Sequence, residues 1–227
     1  MLTAAISGDI VAYTSLNQEG RQQLESQVRH LFSDLEKAFS AYCRLIKGDY
    51  IECISEKPEL GLRLGLLLKT GLKATEIDID KYTEDSTRSK YLKEIGLRIS
   101  IGVGNLDEFD RETGRVDGEA IFLSGREIAN QKTFNKDRIV IKNSLFFVSE
   151  NEKWENQMSP VIDLIDVLLN KATGKQCQVV YFKLLGMSEK EISKKLGVAQ
   201  SVVNQHSTSV GWNAIEKAVI YFENLIQ

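Results

Sequence analysis

A long amphipathic segment near the start of the chain constrains the fold more than any other feature. Over residues 21–43 the apolar side chains recur every third or fourth position, which is the spacing of one face of a helix. They are Leu24, Val28, Leu31, Leu35, Ala38, Phe39 and Tyr42. A short apolar run, TAAIS, precedes this segment and ends at Gly8 and Asp9. The pattern therefore predicts a buried strand followed by a helix.

The next segments alternate between the period of a strand and the period of a helix. A Gly48-Asp49 step between two short apolar runs predicts a hairpin, and Pro58 opens a predicted helix at residues 59–72. Residues 97–103 and 138–142 have strand patterns, residues 107–115 a loop pattern, and residues 119–131 a helical one. Residues 73–89 show no clean period. The resulting order, β-α-β-β-α-β-α-β, predicts an α+β, ferredoxin-like sheet with helices on one face.

The second half of the chain has a different pattern. Residues 144–157 are polar and precede Pro160, which predicts a boundary between domains at 1–148 and 149–227. Residues 161–170, 176–185, 188–196 and the segment from Gln200 onward follow helical periods without an intervening strand. We therefore expect an all-α second domain.

Charge and cysteine usage narrow the function classes. The net charge of −3 gives no global attraction to nucleic acid, so any DNA contact requires a local basic patch. Cys43, Cys53 and Cys177 are widely spaced, which predicts buried thiols and argues against a disulfide framework or a zinc site. The N-terminal residues lack the pattern of a signal peptide, and no run approaches the length of a membrane span. A cytoplasmic location without membrane contact is expected.

Two aspartates stand where strands end. Asp9 closes the first predicted strand, and Asp49 lies at the tip of the hairpin. If these strands are neighbours, the two carboxylates converge and suit Mg²⁺ or Mn²⁺ when nucleotide phosphates complete the shell. The alternative is that Asp9 caps the next helix and Asp49 serves only the turn.

The sequence around these aspartates resembles class III adenylate and guanylate cyclases. SGDIVAYTSL is similar to the first metal-binding motif of that family, and IKGDYIECI is similar to the second. LRISIGVG and GEAIFLSGREI resemble two later family segments, in the family order. The resemblance implies a metal site formed by Asp9, the backbone of Ile10 and Asp49, and it places Arg126 at the catalytic arginine position.

The sequence departs from the family pattern at the positions that contact the base and the sugar of the nucleotide. Phe122 stands where active cyclases have an asparagine that contacts ribose, and a phenyl ring makes no such hydrogen bond. Leu45 stands at the purine-selecting lysine position, with Lys47 displaced by two, and Arg115 stands at the position of its aspartate partner. The resemblance therefore favours binding of a nucleotide or phosphate ligand over cyclisation.

Residues 186–206 have the pattern of a helix-turn-helix. Ser188 and Glu191 form a capping box, and Gly197 supplies the tight turn. A plain helical hairpin would show the same features. The segment also resembles the DNA-binding domain of sigma-factor region four, which implies that its second helix reads base edges and that lysines contact phosphate. The implied DNA-binding residues are Lys190, Lys194, Lys195, Gln200, Ser201, Asn204 and Gln205.

The basic patch of the predicted helix-turn-helix carries little net charge. From Lys175 to Lys217 six lysines face three glutamates, a local charge of +3. We therefore expect a homodimer that binds DNA through two half-sites.

Both halves together, with a Trp-Asn-Ala-Ile tail, resemble the SatD family of bacterial proteins. The first interpretation is a DNA-binding transcriptional regulator with a degenerate cyclase-like domain that binds a nucleotide. An active nucleotide cyclase is the second, and a protein-protein interaction module without either activity is the third.

Overall fold

Strand β1 (Leu2–Val11) lies inside the main sheet and fixes its layout. The computed structural model describes residues 1–11, 13–46, 48–83, 95–130, 134–135, 138–139 and 143–227. The other strands of the main sheet are β2 (Tyr42–Ile46), β3 (Tyr50–Ser55), β4 (Gly96–Asp110), β5 (Arg115–Gly118) and β8 (Leu145–Ser149). The sheet order is β2-β3-β1-β4-β5, with β8 paired in parallel to β4. The antiparallel order of the first four strands is that of a split β-α-β unit, so this part of the prediction is confirmed.

Helices cover both faces of this sheet, so the expectation of helices on one face is wrong. Helix α1 (Gln18–Phe39) joins β1 to β2, and α2 (Gly61–Lys73) joins β3 towards β4, with a short α3 (Ile79–Tyr82) between. Helix α2 packs so closely on the sheet that a Cβ at Gly65 would lie 2.9 Å from Ile101 Cδ1. Ile101 and Gly102 are adjacent on β4 and therefore face opposite sides of the sheet. Helix α4 (Glu119–Asn130) packs over Gly102, so it lies on the face opposite α2.

The last strand of the sheet lies in the segment that was expected to be a polar boundary. Strand β8 falls within residues 144–157 because Leu145 and Phe147 are buried there, although polar residues flank them. Helix α5 (Glu152–Lys171) then begins and continues through Pro160. Its buried positions, among them Met158 and Ile162, keep a helical spacing across the proline.

Of the predicted strand at residues 138–142, the described part, Arg138 and Ile139, is paired outside the main sheet. Strand β7 (Arg138–Ile139) pairs only with β6 (Phe134–Asn135) in a separate two-stranded sheet, and residues 140–142 lie outside the described residues. The predicted loop at 107–115 is also wrong in part, because β4 runs to Asp110 and β5 begins at Arg115. The long β4 allows one strand to pair with β1, β8 and β5.

The C-terminal part is helical, as expected, and it shares its core with the sheet. It comprises α5, α6 (Gly174–Leu184), α7 (Glu189–Leu196), α8 (Gln200–Ser209) and α9 (Trp212–Ile226). Phe222 of α9 packs edge-to-face on Phe147 of β8, with ring centroids 5.3 Å apart, and both belong to one buried cluster. The division into two domains at 148/149 stays a prediction. Within the described ranges, no helix combines the length and apolar character that crossing a membrane requires.

The prediction of buried thiols is wrong for two of the three cysteines. Cys43 and Cys53 are direct partners across β2 and β3 and form a disulfide, while Cys177 is buried. The two residues are ten positions apart in sequence. That spacing did not reveal the pair, because the strand register places them opposite each other.

Candidate functional site

One face of the sheet carries a cluster of polar side chains. Residues that are direct partners on neighbouring strands share a face, as do residues two apart on one strand. The strand register therefore groups six residues, which we call the polar face: Ser7, Asp9, Tyr50, Glu52, Arg98 and Ser100. Helix α4 covers one end of this face, where Ser7 Oγ and Ser124 Oγ lie 2.8 Å apart. The Asp9 end is more open, since its side chain keeps 32% of its surface exposed.

An arginine holds the predicted metal ligand Asp9. Arg98 Nε donates to Asp9 Oδ1 at 2.8 Å, and Nη2 donates to Oδ2 at 3.2 Å. Arg98 is buried and is the direct strand partner of Asp9. Such a bidentate pair is stronger than a neutral hydrogen bond and neutralises the carboxylate. A cation at Asp9 would therefore have to share the carboxylate with Arg98.

Arg98 was missed in the sequence. The alternation in LRISIGV placed it on the polar side of a half-buried strand, but only the register with β1 identifies Asp9 as its partner.

The strands that carry the two aspartate segments are neighbours in the sheet. Asp49 lies in the turn after Gly48, whose φ of +84° favours glycine. The Ile10 N–H donates to Asp49 O at 2.9 Å, which ties the hairpin tip to β1. Within the described part of the chain, no three or more His, Cys, Asp or Glu side chains form a metal-binding group. The metal site formed by Asp9, Asp49 and the Ile10 backbone therefore stays a prediction, and it would need phosphate oxygens to complete the shell of a divalent cation.

The charges of the two aspartates act on different tyrosines. Burial, chiefly, raises the pKa of Tyr50, and the charge of Asp9 adds to the rise. Burial and a hydrogen bond to Glu25 raise the pKa of Tyr13 to about 12, with a smaller contribution from Asp49. The hairpin tip is therefore flanked by phenols that stay protonated at neutral pH.

The covered end of the polar face contains an unsatisfied hydroxyl. Ser100 Oγ is fully buried and has no hydrogen-bond partner among the described residues. Nearby on the face, Arg44 Nε donates to Glu52 Oε1 at 2.6 Å, and Arg44 Nη1 also donates to Gly114 O. Burial raises the pKa of Glu52, against the opposing effect of Arg44. These contacts join β2 and β3 to the β4–β5 connection.

The arginine and the phenylalanine of the cyclase-like segment lie together on α4. Arg126 Cζ sits 4.2 Å from the Phe122 ring centroid, a cation-π contact. Both side chains are exposed, and Phe122 keeps 55% of its surface accessible. The buried positions Ala120, Ser124 and Ile128 hold the other side of the helix against the sheet. Arg126 is therefore directed away from the packed side of α4.

The two helices predicted as a helix-turn-helix are present. Ser188 and Glu191 form the capping box of α7, and Gly197 ends that helix with a φ of +65°. Val179, Ile192 and Val203 form a small core that joins α6, α7 and α8. The predicted reading residues Gln200, Ser201, Asn204 and Gln205 are exposed, as are Lys190, Lys194 and Lys195.

Comparison with known proteins gives structural likeness only. No family model and no curated protein matches the chain. Among solved structures, the chain is similar to the guanylyl cyclase Cya2, with TM-score 0.39 and 14% identity over 57% of this chain and 70% of that one. The adenylyl cyclase CyaB from P. aeruginosa gives TM-score 0.39 and 13% identity over 56% and 71%. A bacterial light-regulated adenylyl cyclase gives 0.40 and 13% over 64% and 74%.

Proposed function

We propose that this chain is a regulatory protein whose cyclase-like α/β part binds a nucleotide or phosphate ligand and whose helix-turn-helix binds DNA. The observation that carries the first half is the contact between the two aspartate segments, where the Ile10 N–H donates to Asp49 O. The contact ties the turn that carries Asp49 to the strand end that carries Asp9. A divalent cation held there would bridge the protein to phosphate oxygens.

Binding without efficient cyclisation fits the side chains better than catalysis does. The attack of a ribose hydroxyl on a phosphorus atom requires an oriented sugar and a charge-stabilising group at the phosphate. Phe122 offers the sugar no hydrogen bond, and its ring lies against the Arg126 guanidinium. Arg98 already neutralises Asp9. We therefore expect ligand binding with little or no cyclic product.

The DNA-binding half rests on the exposed face of α8. Its amides can read adenine in the major groove, and the exposed lysines of α7 are available to contact phosphate. Lys195 Nζ also lies 5.2 Å from the Phe182 ring centroid, which restrains that lysine against the helical core. With a local charge of only +3, one unit makes few phosphate contacts. The proposed binding form is a homodimer on two half-sites.

The first test measures ligand binding in the α/β part. Melting of the full chain is followed with each of the four nucleoside triphosphates, with and without Mn²⁺. We expect a Mn²⁺-dependent rise in Tm that Asp49→Asn abolishes and Asp107→Asn retains, because Asp107 is an exposed aspartate outside the site. Asp49 is preferred to Asp9 as the test because changing Asp9 also breaks the ion pair with Arg98.

The same samples distinguish the alternatives. Robust cyclic product that depends on Asp49 would make the protein an active cyclase and overturn the non-catalytic part of the proposal. Absence of any ligand-induced shift would leave the α/β part as an interaction module and contradict the ligand proposal.

A further inference from the structure

An aromatic ring lies exposed on the outer side of α4. Phe122 keeps 55% of its surface accessible, and the Arg126 guanidinium carbon lies over one face of its ring, 4.2 Å from the centroid. A cation at this position is attracted to the ring and restrains its orientation. A planar ring has two faces, so the arginine leaves the opposite face to a second flat group.

The part of α4 that carries this ring adjoins the open end of the polar face. A Cβ at Gly125 would lie 3.5 Å from the Tyr50 hydroxyl oxygen, and Tyr50 is the direct strand partner of Asp9. Phe122 precedes Gly125 by three residues, and residues at this spacing are neighbours on a helix surface. The exposed ring therefore borders the end of the polar face at which Asp9 lies.

Stacking is the means of base recognition that the side chains leave available. Leu45 has no hydrogen-bonding group to offer a base edge, and Arg115 Nη1 lies 3.7 Å from Glu108 Oε1, in an exposed ion pair. An aromatic ring needs no particular base edge, because every base has a π-face. A ring that is already held in one orientation also loses less conformational entropy on binding.

We propose that Phe122 is the base-stacking residue of the ligand site, with Arg126 as the cation that holds its ring in place. The inference rests on the proposed binding of a nucleotide or phosphate ligand, and it assigns the recognition of the base to one side chain. The ligand is then a nucleotide and not a phosphate without a base. Since stacking does not read base edges, adenine and guanine nucleotides bind alike.

The test compares ATP and GTP with inorganic tripolyphosphate, which has the phosphates but no base. Affinities of the full chain are measured by calorimetry in Mg²⁺ for the unmodified protein, Phe122→Ala and Phe122→Tyr, of which the last keeps an aromatic ring. The matched control is Leu164→Ala, because Leu164 is an apolar side chain on α5 that is 69% exposed and lies outside the site.

The expected signature is a loss confined to ligands that have a base. The unmodified protein should bind ATP and GTP alike, and both more tightly than tripolyphosphate. Phe122→Ala should weaken both nucleotides roughly tenfold, as is typical when a stacking ring is removed, and leave tripolyphosphate unchanged. Phe122→Tyr and Leu164→Ala should behave like the unmodified protein. Equal weakening of all three ligands in Phe122→Ala, or a strong preference for one purine, would overturn the inference.

Sedimentation of the same variants tests the other use of an exposed ring, which is contact with a second copy of the chain. Phe122→Ala should leave the oligomeric state unchanged. If the substitution converts a dimer into a monomer and all three affinities fall together, the ring is a contact between copies and the inference is overturned.

A second measurement observes the ring directly. In the unmodified protein with Mg²⁺ and ATP, nuclear Overhauser effects should connect the ring protons of Phe122 with the base protons. Effects from the base to other aromatic rings alone would overturn the inference and leave the proposed ligand binding intact. Failure of the unmodified protein to bind any of the three ligands would instead overturn the proposed ligand binding, and the inference with it.

Discussion

The buried pair of Lys69 and Asp166 gives the sharpest prediction for stability. Lys69 Nζ lies 3.3 Å from Asp166 Oδ1, and both residues are almost completely buried. Asp166 also accepts hydrogen bonds from the Ser144 N–H at 2.7 Å and the Ser144 hydroxyl at 2.8 Å. Lys69 donates to Leu97 O at 3.0 Å and to Ser144 Oγ at 2.6 Å. The pair thus links α2 to α5 through the start of β8.

Removal of either partner leaves a buried charge without its counter-ion. Each of Lys69→Met and Asp166→Leu should therefore lower the free energy of unfolding by about 3–5 kcal/mol. The double variant removes both charges and leaves mainly the Ser144 donors unsatisfied, a loss of about 1–3 kcal/mol. We expect it to be more stable than either single variant, although its contacts are the fewest.

The assay is equilibrium unfolding in urea of the four proteins, with the slope against urea compared to check that each unfolds in a similar way. The reasoning is refuted if the double variant is destabilised by the sum of the two single losses, because that result would mean that the charges do not interact. Single losses below about 1 kcal/mol would equally contradict the account, since they are typical of exposed pairs.

Three further outcomes are expected. The pKa of Tyr13 is raised to about 12 in the folded protein, so its contribution to the free energy of unfolding is present below pH 10 and is lost as pH rises through 12. Tyr13→Phe should therefore lose less stability than the unmodified protein between pH 10 and 12. Unfolding measured against pH checks this. Reduction should lower the free energy of unfolding by about 2–3 kcal/mol, since the Cys43–Cys53 disulfide closes a short loop, and a double serine variant should not respond to reductant. Joint replacement of Lys194 and Lys195 by Ala should weaken binding to all DNA sequences alike in salt titrations; an unchanged affinity would exclude these lysines as phosphate contacts.

The sequence predicted the parts of the fold that depend on a local sequence pattern. The period of α1, the Gly48-Asp49 turn and the capping box of Ser188 each depend on residues close together in the chain, and each is present in the structure. Strand β8 was missed because only five residues separate its polar flanks. So short an apolar run does not distinguish a strand from a loop.

The candidate site was predictable only in its positions along the chain. Asp9 and Asp49 could be placed at a strand end and a turn, but the partner of Asp9 depends on which residue of β4 lies opposite. A shift of one residue would have brought an apolar side chain there instead of Arg98. Pairings of this kind arise from tertiary packing and have no local signature.

The packing of Phe222 on Phe147 has a consequence for how the chain is made. Strand β8 leaves the ribosome well before α9, so the apolar surface around β8 lacks its cover while the intervening helices are being synthesised. Contacts between segments so distant in sequence form slowly, because the connecting chain must first be ordered. During this interval the exposed surface is open to association with other chains. A chain stalled before α9 should therefore be a substrate for chaperones, although its sheet is already complete.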